Sequence, residues 1–440
     1  MTHSFLDTSS TFVGHRMHTR KRLRLISGLA VTALVLAGCR DRAEEPAGPY
    51  GRQVAEAVPA IEKAVGLKFK TPPKIEARSK AQVRAFVTAQ ITDSLAARTF
   101  AGMTAAYKQL GMIPDTMDLK SFLIDLLEEQ IVGYYDPKTK VLYVVSDAPK
   151  EAVGITITHE LVHALQDQYI SLDSMQKIEG QNDRQSAAQA VFEGQAVFEQ
   201  IAVMTQGSGM AMNMPGGWDR IRDMIRDNQA SMPVFARAPT VIQETLIFPY
   251  LSGAEFVRNF KERNPGKSLY DDMPVSTEQV LHPRSFFGEN RDMPTAVTLP
   301  PLTGVSKTYE NTLGEFEVRL FLFEHLRDQN DAVQGARGWD GDRYALFNTG
   351  GGQGIAWVSV WDSPAEASEF YDLLGKVASR RYVSSTTSPA GSVTRTYSGL
   401  GRTVQISTDE VGGRPAVLWV DVPAGASTAV LNLGEVTFQQ

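Results

Sequence analysis

The sequence predicts an α+β chain: a mainly helical unit followed by a smaller unit of strands and helices. Three observations predict it. From residue 53 to about 132, apolar residues recur at three- and four-residue steps, as in Val83, Phe86, Val87 and Ile91 or Phe122, Leu123, Leu126 and Leu127, which is the period of an amphipathic helix. One hairpin interrupts that period: Gly133-Tyr134-Tyr135-Asp136-Pro137 precedes Val141-Leu142-Tyr143-Val144-Val145, aromatic and β-branched runs around an Asp-Pro turn. From Arg343 the grammar changes to strands at 343–349 and 354–361 across a Gly-rich turn, a helix at 363–380, and strands near 401–407 and 414–421. The expected units are 53–330 and 331–440, with the boundary near 330.

The chain opens on a targeting pattern. Arg20, Lys21, Arg22 and Arg24 form a basic region before an uncharged, mainly apolar run from Leu25 to Ala37, too short to span a bilayer, which needs about 20 residues. Leu36-Ala37-Gly38-Cys39 closes it and resembles the lipobox of bacterial lipoproteins. That resemblance implies a signal peptide over 1–38 with a start at Met17, and a lipid on Cys39 as the membrane anchor. Residues 39–52 would be the tether, and the location the cell envelope, on the outer membrane if the source is Gram-negative. Cys39 is the single cysteine, so disulfides play no part in the expected fold. Residues 1–38 carry five Lys/Arg and one acid; without them 39 basic and 49 acidic residues remain. A net charge near −10 argues against nucleic acid as a partner.

Beyond the hairpin, a helix is expected from Glu151 to about Tyr169, then a polar connection over 171–183 and a second helix from about Arg184 to Thr205. A Gly/Met-rich stretch at 207–217 precedes helices near 218–229, 239–263 and 276–282, the second carrying Pro249 as a kink. Residues 286–312 read as irregular, and 313–327 as an amphipathic helix.

His159-Glu160-Leu161-Val162-His163 is the informative stretch. Positions i and i+4 share a helix face, so both imidazoles can approach one ion, and Glu160 beside them can take a proton from an attacking water. The bare pattern arises by chance in about one chain in a hundred of this length. Its context adds weight: Ile155, Ile157, Leu161, Val162 and Leu165 make the remaining faces apolar, and only His282 and His325 are further histidines beyond residue 38. Zinc takes neutral imidazole nitrogen and keeps three protein ligands in a catalytic site. Glu193, in Val191-Phe192-Glu193-Gly194-Gln195-Ala196 on the second helix, is the candidate third ligand, with Glu179 and Glu199 as the other candidates. Small Gly194 and Ala196 would let that helix approach the first closely.

Two helices with Glu as third ligand resemble the gluzincin clan of zinc metallopeptidases, and the resemblance narrows with neighbouring motifs. HELVHALQDQ over 159–168, an EGxA motif opening at Glu193, and STEQVLHP over 276–283 together resemble uncharacterised secreted bacterial and archaeal proteins expected to be zinc peptidases. The likeness covers roughly 130–285. It implies a zincin-like catalytic domain, Zn2+ as cofactor, His159, His163 and Glu193 as ligands and Glu160 as general base. In zincin-like peptidases a strand placed like Val141–Val145 exposes an edge to which an extended peptide or protein substrate adds. One departure is Gln195, where such sequences commonly carry Asp.

Hydrolysis of an amide also needs a donor for the oxyanion. His282 and Tyr250 are the candidates, whereas His325 reads as structural. In the C-terminal unit, Trp357 and Trp361 read as core, and Asp340 and Asp342 give a faint calcium signature. The leading expectation is a lipid-anchored zinc peptidase. Its rivals are a non-catalytic envelope lipoprotein with a structural metal and a C-terminal binding domain, and a zinc hydrolase of a non-peptide amide. Cys39→Ser should release the protein into the soluble fraction and abolish acyl labelling; membrane association that survives the change would place the anchor elsewhere.

Overall fold

The computed structural model describes residues 48–175, 179–205, 217–382, 384–386 and 393–439; the targeting segment, Cys39 and most of the Gly/Met-rich stretch lie outside them. The chain is α+β, helical up to residue 336 and rich in strands beyond it. The first part runs α1 (Gly51–Val65), β1 (Lys74–Arg78), α2 (Lys80–Thr92), α3 (Ser94–Gln109), α4 (Leu119–Gln130), β2 (Gly133–Asp136), β3 (Val141–Val145), α5 (Lys150–Gln166), α6 (Leu172–Met175) and α7 (Asn182–Met204). Next come α8 (Gly217–Ala230), α9 (Pro233–Ala236), α10 (Thr240–Arg263), α11 (Thr277–Leu281), α12 (Pro283–Phe287), β4 (Ala296–Thr298), β5 (Ser306–Asn311), α13 (Gly314–Leu326) and α14 (Gln329–Ala336). The last part is β6 (Trp339–Thr349), β7 (Gly352–Trp361), α15 (Pro364–Arg381), β8 (Ser384–Thr386), β9 (Thr394–Gly399), β10 (Arg402–Val411), β11 (Arg414–Pro423) and β12 (Thr437–Gln439).

The expected hairpin is present as β2 and β3, but β3 is the central strand of a three-stranded sheet. It pairs in parallel with β1, from Lys74↔Val141 to Arg78↔Val145, and antiparallel with β2, from Gly133↔Val144 to Asp136↔Val141. All five β3 residues are buried, as a strand covered on both sides requires. This corrects the expectation that β3 offers a free edge: that edge belongs to β2. Val145 N donates to Val132 O, which fixes the hydrogen-bonded pairs at every second residue. The N–H and C=O of Gly133 and Tyr135 therefore point away from β3. β1 itself was read as part of a helical region, because only Ile75 of its five residues is buried and its partner lies far along the chain.

α5 packs on this sheet through Val153, Ile157, Leu161, Val162 and Leu165, which join Val54, Ile61, Ile75, Leu142, Val144 and Ala196 in one apolar core. Ile155, expected inside, is exposed. α7 lies between α5 and the long helix α10. Ala196 faces the α5 side, but Gly194 does not: a Cβ there would collide with the backbone of Gly253 on α10, and a Cβ on Gly253 with the carbonyl of Ala190. The two helices cross backbone to backbone, which only glycine permits. Gly194 thus seats α7 on α10, rather than on the HExxH helix.

The C-terminal part is a seven-stranded antiparallel sheet, ordered β5-β6-β7-β11-β10-β9-β8. Alternate residues of its strands face opposite sides. Ile355, Trp357, Trp361 and Trp419 meet Phe321 of α13 and Phe370 of α15, while Ala356, Val358, Val360, Leu418 and Val420 are covered by Val430, Leu431 and Val436. The tryptophans are core, as expected. The first of these cores runs without a break from Ala106 to Trp419. The described residues form one compact unit, so position 330 marks a change of secondary structure and not a gap in packing. The stretch expected to be irregular also holds α12, β4 and β5.

Gly194→Ala or Gly253→Ala should destabilise the fold by about 1–3 kcal/mol or more, the cost of overpacking a tight contact. Gly154→Ala on α5, where a Cβ would meet nothing, should be neutral or slightly stabilising, since alanine favours helix. Denaturant midpoints check both; equal midpoints for the Gly194 and Gly154 variants would mean the crossing is loose.

Candidate metal centre

α5 presents His159 and His163 one turn apart, and α7 brings Glu193 against both. Glu193 Oε2 lies 3.2 Å from His159 Nε2 and 3.4 Å from His163 Nε2, and the two Nε2 atoms are 3.2 Å apart. A tetrahedral ion bound at about 2.0–2.1 Å places its ligand atoms about 3.3–3.4 Å from one another. The three side chains thus stand at the corners such an ion requires, and this donor set of two imidazoles and a carboxylate suits zinc.

The remaining ring nitrogens are held so that Nε2 is the one offered. His159 Nδ1 lies 3.1 Å from Gln200 Oε1, and His163 Nδ1 lies 2.8 Å from Gln166 Oε1. A carbonyl oxygen can only accept, so each Nδ1 donates to its amide, and each ring in its neutral form offers Nε2 to an ion. The second contact continues inward. Gln166 Nε2 donates to Phe192 O and to Gln195 Oε1, both at 3.0 Å, and Gln195 Oε1 also accepts from the Tyr270 hydroxyl at 2.7 Å. Gln195 therefore positions Gln166 and reaches His163 through it.

Electrostatics knit the three groups together. Burial alone would lower the His163 imidazole, but the Glu193 carboxylate outweighs it and lifts the group to about 9. Burial would raise Glu193, yet His163 and His159 hold it well below the usual carboxylate range. A proton here occupies the place a cation would take.

Glu160 is half-buried next to the trio, and desolvation raises its pKa against the pull of His163 and His159. The backbone N–H of Tyr135 on β2 donates to its Oε2 at 2.8 Å, so the outward edge of β2 fixes this carboxylate. Tyr250, from α10, stacks 6.0 Å from the His159 ring. The Glu193 charge, then burial and Glu160, push its phenol well above the ordinary value, which keeps it a donor at neutral pH. Asp167 accepts from Tyr135 Oη at 2.7 Å and Lys140 Nζ at 2.6 Å, tying β2 to the end of α5.

The other sequence candidates lie elsewhere. His282 does not join the trio: its Nε2 is 2.9 Å from Glu315 Oε1 and 2.9 Å from an Arg319 guanidinium nitrogen. It is a structural residue between α11 and α13, which corrects its expected role at the oxyanion. Glu179 pairs with Arg98 at the surface, and Glu199 is buried against Lys261, so neither competes with Glu193. His325 bonds Leu110 O, and burial lowers its pKa to about 4. Asp340 takes Thr295 and Arg414, whereas Asp342 accepts from Leu313 N, Gly314 N and Trp357 Nε1; they form no shared calcium loop.

Sequence reasoning missed Gln166, Gln200 and Tyr270. Two carried a signal: Gln166 stands three residues after His163, and Gln200 two helical turns after Glu193, each on a ligand's own face. Tyr270 reaches the site from a 3-10 turn far along the chain and carried none.

Residues 302–429 match a family model described as a domain of unknown function (DUF8575). No curated protein matches the chain, and no solved structure does. The matched segment takes in β5, α13, α14, α15 and strands β6 to β11, and leaves the His159–His163–Glu193 cluster outside. Among the described residues no helix is long and apolar enough to cross a membrane.

Metal-stripped protein should take up about one zinc per chain. His159→Ala, His163→Ala and Glu193→Ala should lose it, and Glu179→Ala should not. Gln166→Ala and Gln200→Ala should each weaken zinc about 10–100-fold in competition with a chromophoric chelator. Retention of tight zinc by the Glu193 variant would refute the ligand set.

Proposed function

We propose that this chain is a zinc-dependent peptidase of the cell envelope, anchored through Cys39 and hydrolysing peptide bonds with an activated water. One observation carries the reading: three ligand atoms stand at tetrahedral spacing with the Glu160 carboxylate and the Tyr250 phenol beside them. A closed structural site would need a fourth protein ligand and no acid–base partner. Zinc held by His159, His163 and Glu193 would act as a Lewis acid toward water and the scissile carbonyl.

Glu160 accepts the proton of the attacking water and returns it to the leaving amine. The Tyr135 N–H keeps the carboxylate aimed throughout. Tyr250 donates to the oxyanion as the carbonyl carbon becomes tetrahedral. The outward edge of β2 offers the N–H and C=O of Gly133 and the C=O of Tyr135 to an extended chain, since the Tyr135 N–H is already taken by Glu160.

Glu160→Gln should keep its zinc and its melting temperature while peptide hydrolysis falls at least about 10²-fold. Tyr250→Phe should lower kcat about 10²–10³-fold with zinc content unchanged. A peptide-library digest paired with metal analysis reads both. Full activity in the Glu160 variant would sink the mechanism, and zinc-loaded protein that cleaves no peptide would sink the substrate class.

A further inference from the structure

The motif Ser276-Thr277-Glu278-Gln279 is buried throughout, and three of its four side chains have evident partners. Ser276 Oγ accepts from Gln279 N at 3.2 Å. Thr277 donates to Asp183 and accepts from Phe316 N. Gln279 accepts from Val275 N and donates to Asp292 O. Glu278 is the exception. Its Oε1 has a 3.4 Å contact from the Ser285 hydroxyl, its carboxyl also meets that of Asp292, and its Oε2 receives no hydrogen bond from a donor although the residue is just 4% exposed. An unmet buried carboxylate oxygen is costly, and a site normally supplies what such an atom lacks.

Its nearest charged neighbours are two more carboxylates. Oxygens of Glu278, Asp292 and Asp362 lie within 4.8 Å of one another, in a cavity also lined by Glu366, His282 and three arginines, Arg263, Arg284 and Arg337. Among the described residues no Lys or Arg forms an ion pair with any of the three acids, and nearby Arg414 is taken by Asp340. Burial, then Asp292, Glu315 and Asp362, push Glu278 up to about 10.

We propose that Glu278, Asp292 and Asp362 bind a calcium ion, which fastens the STEQ helix α11 to the loop before β4 and to the end of β7. Calcium binds oxygen at about 2.3–2.6 Å, so two oxygens on opposite sides of one ion stand about 4.6–5.2 Å apart, and the three carboxylates fit within that span. An all-oxygen donor set selects a hard cation, whereas imidazole at the other cluster suits zinc. Water completes the six to eight positions calcium takes. The ion would join segments from three parts of the chain, so its effect would be mainly on stability.

Protein stripped of metal and reloaded with one equivalent of zinc lets the two sites be read separately. Titrated with calcium chloride, it should bind about one calcium per chain, and its melting temperature should rise at least about 2 °C at saturation. Asp362→Asn, at the surface, and Asp292→Asn should each weaken calcium at least about tenfold with zinc content unchanged. No calcium uptake at millimolar concentration would overturn the site. So would uptake that survives both substitutions, or a calcium-free Glu278→Gln protein that equals the melting temperature of the calcium-loaded parent.

Discussion

Glu193 can stand between two imidazoles because the helix carrying it is pressed, backbone to backbone, against another. Gly194 and Gly253 leave no room for a side chain where α7 crosses α10, and the crossing sets both depth and rotation for the residues on either side. Glu193 is next to the contact, and Tyr250 lies three residues before Gly253, about one turn away. The same crossing therefore brings the carboxylate to the histidines and the phenol over the His159 ring. A larger residue at either glycine would part the helices and pull both groups away at once.

The groups behind the ligands set the character of the site. Both imidazoles are held by amide oxygens, Gln200 and Gln166, rather than by carboxylates. An amide fixes the tautomer without adding charge, so the rings remain ordinary neutral ligands and any bound cation keeps more of its charge. If the Asp common at position 195 in similar sequences orients a ligand His, Gln195 would be expected to hold an imidazole itself. The geometry gives a different account: Gln195 lies one link further out, where it accepts from Gln166 and from Tyr270. Two donors converging on one oxygen suit a carboxylate as well as an amide, so Gln in place of Asp changes the charge at that position but not the hydrogen-bond pattern.

The ligands on α5 were legible because a helix makes residues four apart neighbours whatever the fold around them. Glu193 was legible from its small neighbours, though for the wrong contact: Gly194 meets α10, and only Ala196 faces the HExxH helix. The long helices and four strands of the C-terminal sheet, β6, β7, β10 and β11, were found from periodicity, which is local. What was missed depends on distant partners. β1 exists through its pairing with β3, and the open edge moved from β3 to β2 because that pairing closed one side. His282 looked unattached in the sequence; Glu315 and Arg319, more than thirty residues on, claim it.

Those same long-range contacts tie the helices of the candidate centre to the sheet. Asp183, in the first turn of α7, accepts from Thr277 N and Thr277 Oγ1, and Thr277 Oγ1 accepts in turn from Phe316 N on α13. Asp342 on β6 meets the opening N–H groups of α13 and the indole of Trp357 on β7. A carboxylate is stabilised at a helix N-terminus, so α13 is pinned to the sheet at one side and to α11 at the other. Gly314 belongs to this joint for a steric reason: its φ of +78° is left-handed, and a Cβ there would strike the Asp183 carboxyl. Through Asp183 the line reaches the start of the helix that carries Glu193. The sheet thus serves as the platform against which α7 is set, and it holds the cluster between 159 and 193 in one fold with the C-terminal strands.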